Sequence, residues 1–360
     1  MRVLLTGAAG FIGAATAAEL RRHDVEVVAV DLLLAEAHGV ATRQDPPEGV
    51  HRLDARRAGE WGHLFQGVDV VVHLAAMVGA GVTAADLPLY AGHNDLGTAS
   101  VLAAAHERGV RGFVQASSMV VYGEGRYQCT LHGEQAPGPR SREALETGEF
   151  ENSCPVCGAA LGWALVDESA TLDPRSSYAA SKVAQENYAT AWARQSPGAA
   201  ISLRYHNVYG PGMPRDTPYS GVAAMFRSSL ERGEAPVVFE DGKQMRDFVH
   251  VVDVARATVV AALSVGDRAD GSHRAYNVCS GHPIGIADVA RAVAAGSSAA
   301  DAGGASPGAA LEPRVTGQFR IGDVRHVVAS PQRAQAELGF TAQVRPEVGL
   351  ARFATEPLRP

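Results

Sequence analysis

The first half of the chain alternates short apolar runs with longer stretches in which alanine and leucine recur at helical spacing. The apolar runs are rich in β-branched residues and cover residues 3–5, 25–30, 68–73 and 112–116. The helical stretches include residues 14–22 and 98–108. Because strands that alternate with helices build a parallel sheet, this pattern predicts an α/β fold of the doubly wound Rossmann type.

The alternation is interrupted at about residues 123–167, where Gly, Pro, Cys and charges show little periodicity, and we interpret this stretch as an insertion. A helix at 178–194 and a strand at 200–205 are predicted to follow it. We therefore expect a nucleotide-binding domain at 1–205, which contains the insertion, and a smaller substrate-binding lobe at 206–360, some segments of which return to the sheet. Residues 294–310 are low in complexity and predict a mobile surface loop.

Composition narrows the class of protein. The 360 residues are 46% hydrophobic and 20% charged, with a net charge of −7, which predicts a soluble globular chain and favours neither nucleic acid nor a membrane as partner. The N-terminus lacks the pattern of a signal peptide, and no apolar run is long enough for a membrane span. We expect a cytoplasmic protein, in which four cysteines do not predict a disulfide framework.

A glycine pattern follows the first strand, in the sequence TGAAGFIG. Gly7, Gly10 and Gly13 would let backbone amides and a helix N-terminus approach a pyrophosphate, although such turns also occur for packing alone. Asp31 ends the next strand, where a carboxylate can bind both ribose hydroxyls and repel a 2′-phosphate, which favours NAD over NADP. Asp54 could bind the adenine amino group, and a solvated turn aspartate is an equally compatible interpretation.

A second pattern predicts acid–base chemistry. Tyr178 and Lys182 are four residues apart in SSYAASK and so lie on one face of a helix. An ammonium beside a phenol favours the phenolate, and a positive nicotinamide ring adds to this effect, so Tyr178 could accept a proton near neutral pH. Ser118, at the end of a predicted strand, would hold the substrate oxygen and the tyrosine together.

With these motifs the chain resembles the extended short-chain dehydrogenase/reductases, specifically the nucleotide-sugar epimerases and dehydratases, over nearly its whole length. Besides TGAAGFIG and Asp31, the matching pieces are VVHLAA at 71–76, HNDLGT at 93–98, SSMVVYG, Tyr178 with Lys182, RYHNVYGP at 204–211, RDFVHVVDVA at 246–255 and RIGDVRH at 320–326. The resemblance implies a nucleotide-sugar substrate, a tightly bound NAD and a homodimer formed by the helices near 98–108 and 178–194.

The resemblance also implies roles for individual residues. Further cofactor contacts would come from Phe11, Ile12, Leu74, Ala75, Ala76 and Asn94. Asn207 would lie near the phosphates of the nucleotide sugar, while Arg246, Arg320 and Asp323 would bind its diphosphate and ribose, a role that suits the planar donor set of arginine. Ordinary ion pairs are the alternative for these arginines. His73, His206 and His250 are interpreted as structural histidines.

The residues after Ser118 discriminate between reactions. Dehydratases and decarboxylases of the resembled family place acidic or polar helpers there, whereas this chain has Met119 and Val120. Neither side chain transfers a proton, so the sequence favours 4-epimerisation, in which oxidation and reduction cancel and the cofactor stays bound. A 4-ketoreductase, a dehydratase, a decarboxylase and a non-catalytic NAD-binding scaffold remain alternatives.

The insertion carries a candidate metal site. Cys129 and His132 form C-x-x-H, and Cys154 and Cys157 form C-x-x-C. Four such ligands in two knuckles suit a closed, structural Zn²⁺ site, which would supply folding energy to a segment with little hydrophobic core. Scattered free thiols and a redox pair are the alternatives. Cys279 is expected to be a small buried residue.

The Cys-bearing insertion together with RYHNVYGPGMPRDTPYSGVA gives a narrower resemblance, to the dTDP-L-rhamnose 4-epimerases. This implies a dTDP-deoxysugar as substrate. Met77, Val78, Met119 and Val120 are the candidates for the sugar pocket, since apolar side chains suit a methyl group better than a carboxylate. UDP-glucose and UDP-glucuronate remain possible substrates.

Overall fold

The computed structural model describes residues 1–34, 38, 46–79, 83–215, 221–301 and 311–359. Its strands are β1 Arg2–Thr6, β2 Glu26–Asp31, β3 Val50–Arg52, β4 Val70–His73, β5 Gly112–Ser118, β6 Arg126–Cys129, β7 Gly133–Gln135, β8 Gly162–Ala164, β9 Ala199–Tyr205, β10 Asn207–Tyr209, β11 Val237–Val238, β12 Met245–His250, β13 His273–Val278, β14 Pro283–Gly285 and β15 Arg314–Val315. Seven of them form one parallel sheet in the order β13-β9-β5-β4-β1-β2-β3, which confirms the predicted fold class.

The helices are α1 Phe11–Arg22, α2 Leu87–Tyr90, α3 Gly97–Glu107, α4 Arg142–Glu146, α5 Ser177–Gln195, α6 Val222–Glu231, α7 Val251–Ser264, α8 Ile286–Asp301, α9 Gln332–Leu338 and α10 Pro346–Phe353. Shorter helical turns cover Ala55–Phe65, Ala84–Asp86, Ala91–Leu96, Met119–Tyr122 and Val265–Asp267. In the part of the chain that the structure describes, none of the helices has both the length and the apolar character that crossing a membrane requires.

The main sheet is buried on both faces. On one face Val3 and Leu5 pack with residues of α1 and α7, and on the other Leu4 packs with Trp61 and Trp192. Successive residues of a strand point to opposite faces, so a strand covered on both sides needs a continuous apolar run. This requirement explains why the first-half strands were visible as unbroken β-branched segments.

The C-terminal half contributes to both parts of the molecule. Strand β13 pairs with β9 at one edge of the main sheet, and α7 packs against its core. The remaining strands of this half form two small sheets, β10-β12-β14 and β11-β15. A separate core that includes Tyr209, Phe248 and Phe353 fills the smaller lobe.

The predicted loop at 294–310 is wrong for its first part, because α8 continues to Asp301. Alanine-rich sequence favours a helix, and Val289 and Val293 of the same helix are fully buried, so tertiary packing extends the helix into the low-complexity stretch. The rest of that prediction, at residues 302–310, lies outside the described residues.

Candidate active site

The glycine turn connects β1 to α1 at the centre of the main sheet. Gly7 has φ +69°, and a Cβ there would lie 2.7 Å from the amide nitrogen of Ala75, while a Cβ on Gly13 would lie 1.9 Å from the Gly7 carbonyl oxygen. No side chain among the described residues caps α1, and its first turn, with Phe11 and Ile12, carries no acid. The amides of this turn are therefore suited to a pyrophosphate, and the geometry fits the implied NAD.

Asp31 lies at the carboxyl end of β2, beside this turn. Its carboxylate accepts hydrogen bonds from the amides of Ala9, at 3.0 Å, and Leu33, at 2.8 Å, and it lies 3.4 Å from a ring nitrogen of His38. Burial alone would raise the pKa of Asp31, but these partners, with His38 first, lower it below its usual value. The residue is thus an anion beside the glycine turn, and its contact with the adenosine ribose of NAD stays a prediction.

Two other predicted cofactor residues have partners within the protein. Asp54 caps the helical turn Ala55–Phe65 and forms an ion pair with Arg56 at 2.6 Å. Asn94 is fully buried. Its side-chain oxygen accepts a hydrogen bond from the Met77 amide, and its side-chain nitrogen donates to the Met77 carbonyl and, at 2.8 Å, to the Ser181 hydroxyl. Asn94 therefore positions the segment after β4, which includes Leu74, Ala75 and Ala76, against α5; its direct contact with a cofactor stays a prediction.

The structure brings together the three predicted catalytic residues. Ser118 ends β5, while Tyr178 and Lys182 lie one turn apart on α5. The Lys182 ammonium is 5.8 Å from the centroid of the Tyr178 ring and donates to the Ala116 carbonyl at 2.9 Å. The Ser118 hydroxyl lies beside the Tyr178 phenol and acts to lower its pKa.

The pKa of Tyr178 differs from the expectation that Lys182 would lower it. Burial raises the pKa of Tyr178 to about 12, against the lowering effect of the Ser118 hydrogen bond. Burial also lowers the pKa of Lys182 to about 7, although the Glu186 carboxylate acts in the opposite direction. The protein alone therefore does not lower the pKa of the phenol, because desolvation outweighs the effect of Ser118. A positive charge close to the ring would lower it.

Sequence reasoning missed two neighbours of this group. Tyr90 lies with its ring centroid 5.9 Å from that of Tyr178. Glu186 forms a buried ion pair with Arg204 at 2.7 Å and accepts a hydrogen bond from Ser117. The spacing of Lys182 and Glu186, four residues apart on one helix face, was a signal that could have identified the second of them.

The predicted sugar-pocket residues follow the strand ends at the same edge of the sheet. Met119 and Val120 form a helical turn directly after Ser118, and the Val120 amide donates to the Ser118 hydroxyl. Met77 is buried, and Val78 is 41% exposed. All four side chains are apolar, so they present no proton donor beside the catalytic group.

The predicted diphosphate residues lie in the smaller lobe. Asn207 of β10 pairs with Phe248 of β12, and its side-chain oxygen is buried without a hydrogen-bond partner in the described part of the chain. The Arg246 guanidinium donates to three backbone carbonyls and, among described residues, forms no ion pair. The Arg320 guanidinium is 5.0 Å from the ring centroid of Phe239. Burial raises the pKa of Asp323, with Arg320 and Arg246 opposing it.

The histidines agree with their predicted structural role. His73 is buried, and its ring nitrogens bond the hydroxyls of Thr6, at 2.8 Å, and Thr98, at 3.0 Å. Burial lowers the pKa of both His73 and His206 to about 3, so both rings are neutral. His250 caps α7 through its Nδ1 atom.

The insertion folds as a small sheet in the order β7-β6-β8. It brings the side chains of Cys129, His132, Cys154 and Cys157 together, with their ligand atoms all within 4.8 Å of one another. Cys129 Sγ is 3.5 Å from His132 Nδ1 and 3.8 Å from Cys157 Sγ, and Cys154 Sγ is 3.7 Å from His132 Nδ1. Cys279 is buried elsewhere, as expected.

Comparisons with known proteins identify the family of the chain. Residues 3–160 and 150–279 match the NAD dependent epimerase/dehydratase family. The dTDP-L-rhamnose 4-epimerase of Burkholderia thailandensis is 32% identical, over 98% of this chain and 94% of its own, and the UDP-glucose 4-epimerase of Mycolicibacterium smegmatis is 29% identical, over 98% and 97%. The UDP-glucose 4-epimerase of Thermus thermophilus, solved in complex with NAD, superposes with a TM-score of 0.72 at 28% identity, over 98% of each chain. The chain thus belongs to the NAD-dependent nucleotide-sugar epimerases of the epimerase/dehydratase family.

Proposed function

We propose that this enzyme inverts the C4 hydroxyl of a dTDP-deoxysugar such as dTDP-L-rhamnose, with NAD retained throughout the cycle. The observation that carries the proposal is the Ser118, Tyr178 and Lys182 group, followed by the non-protic Met119 and Val120. The family assignment limits the substrate to a nucleotide sugar, and this arrangement of side chains favours epimerisation within it.

Each residue of the site has its own role in this reaction. Tyr178, as phenolate, accepts the proton of the C4 hydroxyl and later returns it, and Ser118 holds the same oxygen by a hydrogen bond. The glycine turn and Asp31 would hold NAD, which would supply the acceptor for the C4 hydride and the donor for its return to the opposite face of the sugar. Lys182 contributes positive charge beside the phenol. The diphosphate and the ribose of the nucleotide are held, while the sugar turns over, by Asn207, Arg246, Arg320 and Asp323.

The preference for a deoxysugar depends on the pocket candidates. Met77, Met119, Val120 and Val78 offer apolar surface and no cation, so a C6 methyl suits them better than a carboxylate would. The similarity to an enzyme named for dTDP-L-rhamnose supports the same choice. The relatives named for UDP-glucose support UDP-glucose as the second candidate.

The test is to incubate the purified enzyme, without added cofactor, with dTDP-L-rhamnose, UDP-glucose and UDP-glucuronate. We expect a product of unchanged mass from the dTDP-sugar, and a loss of at least about a thousandfold in turnover for Tyr178→Phe, with NAD still bound. Full turnover by that variant would contradict the mechanism. Loss of water or carbon dioxide would show a dehydratase or a decarboxylase. Turnover only with added NAD, with one NADH formed for each sugar oxidised, would show a 4-ketoreductase acting in reverse.

The second part of the proposal is a structural Zn²⁺ ion in the insertion. A tetrahedral ion with Zn–S bonds of about 2.3 Å and Zn–N bonds of about 2.0 Å separates two sulfurs by about 3.8 Å and a sulfur from a nitrogen by about 3.5 Å. The distances of 3.8, 3.5 and 3.7 Å among these ligands fit that geometry. Backbone hydrogen bonds, first from Leu131, lower the pKa of Cys129 to about 6, which favours the thiolate that binds a metal.

Metal analysis tests the zinc site. We expect about one zinc per chain in protein purified without chelators, and less than about a tenth of that in Cys154→Ser, because a closed site depends on all four ligands. The control is Cys279→Ser, which alters a buried cysteine outside the cluster and should keep its zinc. Wild-type protein without stoichiometric metal would contradict the site.

A further inference from the structure

The insertion holds the backbone of the RIGDVRH loop, residues 320–326, through the first of its strands. The Tyr127 hydroxyl accepts a hydrogen bond from the His326 amide at 2.9 Å and donates to Glu124 at 2.9 Å. The same carboxylate oxygen of Glu124 accepts the Arg325 amide at 3.0 Å. Two consecutive amides of the loop are therefore bonded to side chains at or just before β6.

The second half of the insertion contacts the same loop. Asn152 donates to Glu124 at 3.0 Å, and Glu151 bonds the Arg325 guanidinium and, at 2.8 Å, the His326 ring. Arg140 donates to the Asp323 carbonyl at 2.8 Å. A cleft of about 390 Å³ lies between the two segments, and it is lined by Glu124, Arg140, Leu145, Gly322 and Asp323, among others.

The loop in turn holds Arg246. The guanidinium of Arg246 donates to the carbonyls of Arg325, at 2.8 Å, and Val324, at 2.7 Å. The ring of His326 accepts the amide of Met245 at 3.0 Å. Since these bonds use backbone carbonyls and no carboxylate, the positive charge of Arg246 is fixed in place without being neutralised.

The four metal-ligand residues lie next to the groups that begin this chain of contacts. Cys129 is two residues after Tyr127, and Cys154 is two residues after Asn152. Tyr127, Cys129 and Cys154 pack together with Leu161 in one buried cluster of the insertion. A cluster of four side chains buries little apolar surface and so stabilises the insertion only weakly. A metal ion shared by the two halves of the insertion would fix their relative positions.

We propose that the metal-bound insertion positions Arg246 through residues 320–326, and so sets the affinity for the nucleotide diphosphate rather than the rate of chemistry at the sugar. The effect on the nucleotide rests on the proposed epimerase activity, and the mechanical effect rests on the proposed zinc site but not on that activity. The Cys/His site would then be a structural element of the substrate site, although its ligands contact none of the catalytic residues.

Hydrogen exchange tests the mechanical part without any ligand. We expect the peptide covering 322–328 to exchange at least about tenfold faster in Cys154→Ser than in wild type, because the bonds of the Arg325 and His326 amides loosen. The peptide from β9 should be unchanged, which shows that the main sheet is intact. The control Leu131→Ala alters a side chain of the insertion that is 76% exposed and should leave 322–328 unchanged. Equal protection in Cys154→Ser and wild type would overturn the proposal.

Calorimetric titration with dTDP and with UDP tests the effect on affinity. The informative variant is Tyr127→Phe, which keeps the packing and the metal ligands but removes the hydroxyl that bonds His326. We expect it to keep its zinc and NAD, to bind the preferred nucleotide about tenfold more weakly, and to keep kcat within about threefold. Unchanged affinity, or a loss confined to kcat, would overturn the proposed role. Failure of wild type to bind either nucleotide, with the exchange result as expected, would overturn the nucleotide-sugar assignment instead.

Discussion

At the scale of single residues, a buried ion pair between Glu186 and Arg204 lies one helical turn beyond Lys182. The side chains of Glu186 and Arg204 are 6% and 5% exposed, and Arg204 also donates to the Tyr122 hydroxyl at 2.9 Å. A buried charge that loses its partner is costly, whereas an exposed pair contributes little. The Glu186 carboxylate also favours the charged form of Lys182, so it links stability to the catalytic site.

We expect Glu186→Gln to destabilise the fold by about 3 kcal/mol at neutral pH, since Arg204 would be left without its counter-charge. Burial raises the pKa of Glu186, but Arg204 outweighs it and holds the pKa below the usual 4.5. Because the pKa of Glu186 is lower in the folded than in the unfolded protein, its ionised carboxylate stabilises the fold above pH 4.5, and this stabilisation is lost as the pH falls through the folded-state pKa. The difference in stability between wild type and Glu186→Gln should therefore shrink at low pH.

Urea unfolding at pH of about 7 and about 4 measures this difference. The matched control is Asp270→Asn, which breaks an exposed pair with Arg111 and should cost less than about 1 kcal/mol at either pH. An equal, small effect of both substitutions would contradict the importance of the buried pair.

The proximity of Ser118, Tyr178 and Lys182 could be predicted, because it depends on a short spacing along one helix and on a strand end. The contacts of Tyr90 and the use of the Asn94 amide by Met77 and Ser181 could not, since these groups are far apart in sequence. Nor could the sequence give the balance between burial and charge that raises the pKa of Tyr178.

At the scale of elements, the tight passage from β1 to α1 gives a sharp prediction. In Gly13→Ala the new Cβ would meet the Gly7 carbonyl oxygen at 1.9 Å, so the first turn of α1 must move away from the glycine turn. We expect NAD content at least about tenfold below that of wild type, because the helix amides then miss the pyrophosphate.

Absorbance and chromatography of the cofactor released from denatured protein measure this content. Gly59→Ala is the control, since its Cβ would meet no atom within 4 Å. A Gly13→Ala protein that retained the full amount of NAD would contradict the placement of the cofactor on this turn.

The main sheet could be predicted at this scale because its buried strands are continuous apolar runs. The small sheet inside the insertion could not, because β6, β7 and β8 are only three or four residues long, too short for an alternating pattern to be recognised. The four cysteine and histidine ligands were nevertheless recognisable, since their two short spacings are visible in the sequence.

At the scale of the whole molecule, the two lobes share elements, and the insertion contacts residues about 200 positions further along the chain. Such long-range contacts leave no periodic signal, so the link from the insertion to residues 320–326 could be found only in the structure. The interleaving of β13 and α7 with the N-terminal sheet follows from the requirement that its edge and face be covered.

We propose a homodimer through α3 and α5, since both helices expose small residues together with Tyr188, which is 41% exposed. Sedimentation velocity should give about twice the 37.6 kDa of one chain. Tyr188→Glu should shift the protein to monomer, because a charge would be buried without a partner. A monomeric wild type would contradict this interface.

The central claim is that C4 is oxidised and reduced again within one enzyme-bound cycle. The most direct test is to supply dTDP-L-rhamnose carrying deuterium at C4 to enzyme without added cofactor. We predict a C4-inverted product of the same mass that keeps the deuterium at C4, because the hydride that leaves the sugar is the one that returns. Loss of the deuterium to solvent, or turnover only with added NAD, would contradict the account.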